Sequence, residues 1–112
     1  MAFARPEVVR RALTELLDNA TVYGEAPFSI RAWEAEGHAY VEVANGGPMV
    51  SDQELALASE LFFRGERAVT TQAGLGVGLA LARTLVQADG GDIVLRAGPS
   101  GGVIARLELP AA

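Results

Sequence analysis

Apolar residues recur at three- and four-residue spacing early in the chain: Val8, Val9, Ala12, Leu13, Leu16, Leu17 and Ala20. That period predicts an amphipathic helix from about Pro6 to Thr21, opened by Pro6 and ended near Gly24. Arg10, Arg11, Thr14 and Asp18 take its polar face, while Glu15 and Asn19 lie one turn apart beside the stripe. The period then drops to two. Phe28 to Trp33 alternates as a strand, Glu36-Gly37-His38 reads as a hairpin turn, and Ala39 to Ala44 alternates again. Val41 and Val43 share one face of that second strand, Tyr40 and Glu42 the other, and Asn45 follows the valines by parity. Asn45-Gly46-Gly47-Pro48 breaks the pattern.

Ser51-Asp52-Gln53-Glu54 has the form of a helix start, and a short helix to about Leu61 is predicted behind it. Phe63 to Gly74 has no period and reads as a flexible loop. Gly74-Leu75-Gly76-Val77-Gly78 runs directly into the apolar stretch from Leu79 to Ala88, a glycine-rich entrance to a buried helix that Gly90-Gly91 stops. Asp92 to Ala97 and Val103 to Leu109 make two more strands around the turn Gly98 to Gly102. Strand pairs separated by helices predict an α+β two-layer sandwich with the helices on one face.

Composition narrows the chemistry. A length of 112 residues, 50% of them hydrophobic, is one domain with a core of its own. The chain has no cysteine and no lysine, which removes disulfides, thiolate metal sites, the P-loop lysine and Schiff bases. A net charge of −5 opposes nonspecific nucleic-acid binding. With one histidine, His38, a two-histidine metal motif is numerically impossible, whereas a Ser/His/Asp triad is not. No apolar stretch approaches the roughly 20 residues that span a bilayer, so a cytoplasmic domain is expected.

Three segments are candidates for chemistry. Glycines ahead of a helix let backbone N–H groups approach a phosphate, although tight helix–sheet packing uses glycine equally well. The carboxylate and amide of Glu15 and Asn19 suit a hard cation, against the plainer reading of a solvated pair. Val41 to Val50 is either a strand running into a turn or the floor of a pocket.

Taken in order, these segments resemble the catalytic and ATP-binding domain of bacterial sensor histidine kinases, in the GHKL superfamily with gyrase B and MutL. Glu15-Leu-Leu-Asp-Asn19-Ala resembles the asparagine box, and Asn45-x-Gly47-x-Met49 stands at the place of an Asp-x-Gly-x-Gly box. Leu61-Phe62-Phe63-Arg64 resembles the phenylalanine box, and Gly74-Leu-Gly76-Val-Gly78-Leu79 the second glycine box. The segments Ala88 to Ile93, Gly98 to Gly102 and Leu107 to Pro110 resemble the family's closing pattern.

The resemblance implies the Bergerat fold, a mixed sheet with helices on one face and a nucleotide beneath a lid from about Gly65 to Ala73. It implies ATP and Mg²⁺ as ligands. Asn19 would coordinate the metal, with Glu15 supporting the site or polarising the reacting group. Tyr23, Asn45, Gly47, Met49 and Val50 would surround the base, and Phe62, Arg64 and Arg67 would act from the lid side. The backbone from Gly74 through Leu75, Gly76, Val77 and Gly78 to Leu79 would cradle the phosphates. The implied activity is transfer of the γ-phosphoryl of ATP to a histidine on a separate dimerisation domain, with a response regulator as an indirect partner. The chain would then be a piece of a larger kinase that is free to be membrane-anchored, and monomeric on its own.

The sequence departs from that pattern. Val22 stands where a cation is usual, Asn45 where an aspartate is, and Met49 where a glycine is. The strand usual ahead of the first helix, and a phosphoacceptor helix, are missing. Asn45 and Met49 predict weak ATP binding. Two alternatives remain: a degenerate domain serving as a protein-interaction module, or a serine kinase of the anti-sigma-factor type.

Overall fold

The computed structural model describes residues 5–64 and 75–110. The first apolar stripe winds as α1 (Pro6–Tyr23), two residues beyond its expected end. Val8, Ala12, Leu16 and Ala20, each one turn after the last, are buried, while Leu17 is 40% exposed at the edge of the stripe. The N-cap residue, Arg5, has no side-chain cap of its own. Its backbone N–H donates instead to Asp89 Oδ2 at 3.0 Å, and its guanidinium pairs with the same carboxylate.

A hairpin follows, β1 (Glu25–Ala35) and β2 (His38–Gly46), both longer than the alternation predicts. Its turn is two residues, Glu36 and Gly37, both at positive φ, as the twist of a tight hairpin requires. His38 is therefore the first residue of β2, opposite Ala35, and not part of the turn.

Next comes α2 (Asp52–Arg64), opened by a reciprocal capping box: Glu54 N–H donates to Ser51 Oγ, and Ser51 N–H to Glu54 Oε1. The helix runs three residues past its predicted end and takes in Phe63 and Arg64. The predicted lid lies outside the described residues. α3 (Leu75–Ala88) leads to the second hairpin, β3 (Asp92–Ala97) and β4 (Val103–Pro110).

The sheet order is β1-β2-β4-β3, and every described pairing of these strands is antiparallel. This corrects the expectation of a mixed sheet. Two hairpins meet with β4 running back along β2, so among the described strands none lies parallel to a neighbour.

Val43, Ala105, Leu107, Leu109, Ile93 and Leu95 turn one face of the sheet toward the helices. There they form a single core with Leu79, Ala82 and Val86 of α3 and the stripe of α1. The opposite face has no helix over it among the described residues. On it Glu42 is only 5% exposed, held by Arg106 Nε at 3.1 Å and Arg96 Nη1 at 3.0 Å. Trp33 stacks on Tyr40 at 5.2 Å, and the guanidiniums of Arg31 and Arg106 lie over the Trp33 ring. The sequence pattern placed Glu42 with Tyr40 on the face opposite Val41 and Val43 and gave no sign of its burial. Arginine stems arriving from β3 and β4 cover it.

Candidate functional site

Arg5 opens α1 and Asp89 follows α3, so their contact sets the two helices antiparallel. The C-terminal half of α1, carrying Asn19, therefore lies at the same end of the molecule as the first turn of α3. That turn holds the glycine-rich entrance Leu75, Gly76, Val77 and Gly78 and the buried Leu79. The end of β2 comes to this end too, because Asn45 lies against Gly24 at the C-cap of α1.

Asn19 has the one buried side-chain polar atom without a partner among the described residues, its Oδ1. A buried amide oxygen left unpaired costs about 1–3 kcal/mol, so a fold that retains one calls for an explanation outside its own contacts. An acceptor-only oxygen suits a hard cation, and Mg²⁺ binds through few protein groups plus substrate phosphates. Among the described residues no cluster of three or more His, Cys, Asp or Glu could hold a metal by itself. Asn19 thus fits a metal whose other ligands come from phosphate and water.

Glu15, one turn earlier and half-buried, accepts from Arg11 Nε at 3.0 Å. The sequence pattern set Arg11 on the polar face without pointing to this pair. The i, i+4 spacing of an arginine and a glutamate was the signal that could have found it.

Asn45 is half-buried on the helix-facing side of β2, with Nδ2 donating to its own neighbour, Gly46 O, at 2.9 Å. The closing turn buttresses it from below. Gly102 N–H donates to Pro48 O at 2.9 Å, and Gly102 has φ +72°, with the carbonyl of Asn45 filling the place a Cβ would need. Sequence reasoning took Gly98 to Gly102 as a simple turn and missed this support. The cavity of about 270 Å³ that this turn helps to line reaches Ser29, Ala44 and Ile104, on the sheet face away from the helices and from Asn19.

Val50 is half-buried, and Met49 is 66% exposed, so its side chain does not fill a pocket here. Tyr23, Phe62 and Arg64 lie within the helices α1 and α2. Arg67 and Gly74 lie outside the described residues. The structure thus brings Asn19, Asn45, Gly47 and the first turn of α3 to one end of the sandwich, with Glu15 one turn further back, in the middle of α1.

Residues 4–112 match the family described as histidine kinase-, DNA gyrase B-, and HSP90-like ATPase. The sensor histidine kinase component HK1 of Mycobacterium tuberculosis is 33% identical over 105 residues, which cover 94% of this chain and 62% of that protein. The sensor protein kinase CarS of Pseudomonas aeruginosa is 33% identical over 99 residues, 88% of this chain and 21% of that protein. The chain therefore spans less than two thirds of these relatives. The nucleotide-free catalytic domain of the histidine kinase ThkA shares the fold, with TM-score 0.76 and 22% identity over 96% of this chain and 68% of that one. Full-length ShkA in complex with AMPPNP aligns with TM-score 0.70 and 28% identity over 94% of this chain and 22% of that one.

Proposed function

The chain belongs to the histidine kinase-, DNA gyrase B- and HSP90-like ATPase family, and we propose that it is the ATP-binding catalytic domain of a sensor histidine kinase. In this reading the γ-phosphoryl of ATP passes to a ring nitrogen of a histidine on a separate dimerisation domain, ADP is released, and a response regulator receives the phosphoryl afterwards. The observation that carries the reading is the unpartnered Oδ1 of Asn19, buried at the end of the sandwich where the entrance of α3 also lies.

Asn19 would hold Mg²⁺ together with the phosphates. The metal, when bound, neutralises charge on the transferring group. Backbone N–H groups of the first turn of α3, from Leu75 to Leu79, would face the phosphates, where the helix dipole favours an anion. Gly74, Arg64 and Arg67 would complete that side. Glu15, steadied by Arg11, would polarise the reacting group. Asn45, Gly47, Val50 and Tyr23 would receive the base, with Met49 and Phe62 at its margins. Among the described residues no helix is long and apolar enough to cross a membrane.

A second reading, weak nucleotide binding by a domain that serves as an interaction module, is favoured by the neutral amide at Asn45. Heteronuclear NMR titration with Mg-ATP, with and without a chelator, tests the first reading. Saturable shifts that require the metal and that Asn19→Ala abolishes are expected. Equal metal-dependent affinity in Asn19→Ala overturns the role of Asn19, and no binding at millimolar ATP leaves the second reading. Incubation with a histidine-bearing dimerisation domain and labelled ATP then reads out an acid-labile phosphoryl group.

A further inference from the structure

Among the described strands β1 pairs with β2 alone, so along residues 28–35 its far side presents the backbone N–H and C=O groups of alternate residues without a ladder partner. Pro27 and the bulge between Glu25 and Phe28 blunt one end of that edge. From Phe28 to Trp33 the one charged residue is Arg31. The register sets Ile30 opposite Val43 and Phe28 opposite Asn45, on the side facing the helices. Val43 is buried there, but the helix layer ends short of β1: Phe28 is 49% exposed, Ile30 59% and Leu17 40%. Between α1 and β1 this leaves an apolar cavity of about 330 Å³, with Ala20 and Val43 as its floor and Leu17, Phe28 and Ile30 as its rim.

Arg31 lies on the other face of β1, its guanidinium 4.8 Å from the centre of the Trp33 ring. Its cross-strand neighbour, Glu42, is already taken by Arg96 and Arg106. The two faces therefore select different side chains from one added strand, apolar ones toward the cavity and a carboxylate beside Arg31, in alternation. A second copy of β1 does not supply them. Every two-fold pairing that keeps Phe28 and Ile30 against apolar residues either sets the two Arg31 side chains diagonally across from each other or brings Pro27, which has no N–H, into the ladder. We propose that the edge of β1 is a docking site for an extended segment of another protein, alternating apolar and acidic residues, which adds to the sheet as a further strand. This surface shares no residue with the nucleotide site proposed above, and neither reading depends on the other.

The test adds a short blocked peptide of alternating valine and glutamate to the full isotope-labelled chain. Its lysine counterpart, and a peptide of the same composition with the valines and glutamates in separate blocks, serve as controls. Heteronuclear NMR reads which amides move. Saturable shifts along residues 28–35 and at Leu17, Ala20 and Thr21 are expected, with the alternating glutamate peptide binding about threefold tighter or more than the lysine one. The net charge of −5 favours lysine over the molecule as a whole, so the opposite order reports Arg31. Arg31→Glu is expected to reverse that order and Arg31→Gln to abolish it, with the fold of each read from its own spectrum. No movement of the β1 amides at millimolar peptide overturns the proposal. So does equal binding of the block peptide, a preference for lysine in the wild type, or an order unchanged in both variants. Sedimentation of the free chain is expected to show a monomer. A dimer whose β1 amides are protected from exchange means that a second copy occupies the edge, and overturns the proposal too.

Discussion

Gly24 is extended, at φ −108° and ψ 176°, a conformation open to any residue. Gly24→Ala therefore carries no backbone penalty, and by shrinking the unfolded ensemble it should stabilise by about 0.4–1 kcal/mol. The structure predicts the reverse sign. A methyl group at position 24 would overlap the Asn45 side chain, including its Cβ at 2.5 Å. Rotating Asn45 moves its amide but not its Cβ, so the end of α1 and the end of β2 must part. Overpacking of this kind costs about 1–3 kcal/mol, and the fixed Cβ argues for the upper half of that range. With about 4 °C lost per kcal/mol in a domain of this size, the melting midpoint should fall by roughly 8–12 °C. A double-mutant cycle with Asn45→Gly isolates the contact. With no Cβ at position 45, Gly24→Ala should be neutral or stabilising, giving a coupling of about 2–4 kcal/mol. Calorimetric melts of the four proteins suffice. Additive effects within about 0.5 kcal/mol would refute the claim that α1 and β2 are in contact through this pair.

Asn19→Ala should raise the nucleotide-free melting midpoint by a few degrees, because it removes an unpaired buried acceptor and gains helix propensity of about 0.5 kcal/mol. A clear drop in scanning calorimetry would show that Oδ1 has a partner after all. Asp89 is held below the usual carboxylate range by the Arg5 backbone N–H and guanidinium, and Glu54 by Ser51. Burial pushes the Asp92 carboxyl up, but Arg83, the Ile93 N–H and Gln87 together bring it lower still. Depressed carboxyls stabilise the fold above their unfolded values near pH 4 and lose that stability as pH falls through their folded values, so Asp92→Asn should flatten the acid limb of a stability–pH curve. Glu42→Ala should cost about 1–2 kcal/mol in urea unfolding: the pair is buried on the carboxylate side only, and Arg96 and Arg106 can hydrate once it is gone. No loss would mean that the cluster is a surface ornament.

The elements were legible wherever their cause was local. The α1 stripe, the two hairpins and the capping box at Ser51 all arise from spacing within a dozen residues, whereas Leu75 to Gly78, read as an entrance ahead of a helix beginning at Leu79, turn out to be that helix's first turn. The family too was legible, from the order of its boxes. What the sequence hid depends on partners far along the chain. Glu42 is buried because Arg96 and Arg106 arrive more than fifty residues later, and nothing near Glu42 announces them. The contact of Gly24 with Asn45, and the carbonyl of Asn45 over Gly102, likewise join segments with no local signal. Asn19 was picked out by its spacing from Glu15, but only packing could show that its oxygen is sealed in without a partner. The mixed sheet was carried over from the resemblance, and the register of β4 against β2 replaced it.

The middle of the sheet joins the strands most distant in sequence, with His38 opposite Pro110 and Ala44 opposite Ile104. β4 is the bridge between the first hairpin and β3, and the core beneath the helices depends on it. During synthesis, α1 and the first hairpin emerge early with Val43 and the α1 stripe uncovered, because their core partners on α3 and β4 come later. The loop that must close is long, and it closes late. On the ribosome this domain has no stable half. Until Val103–Pro110 have been made the two hairpins cannot join, and an early stop within β4 is expected to yield a product for proteolysis and not a smaller folded domain.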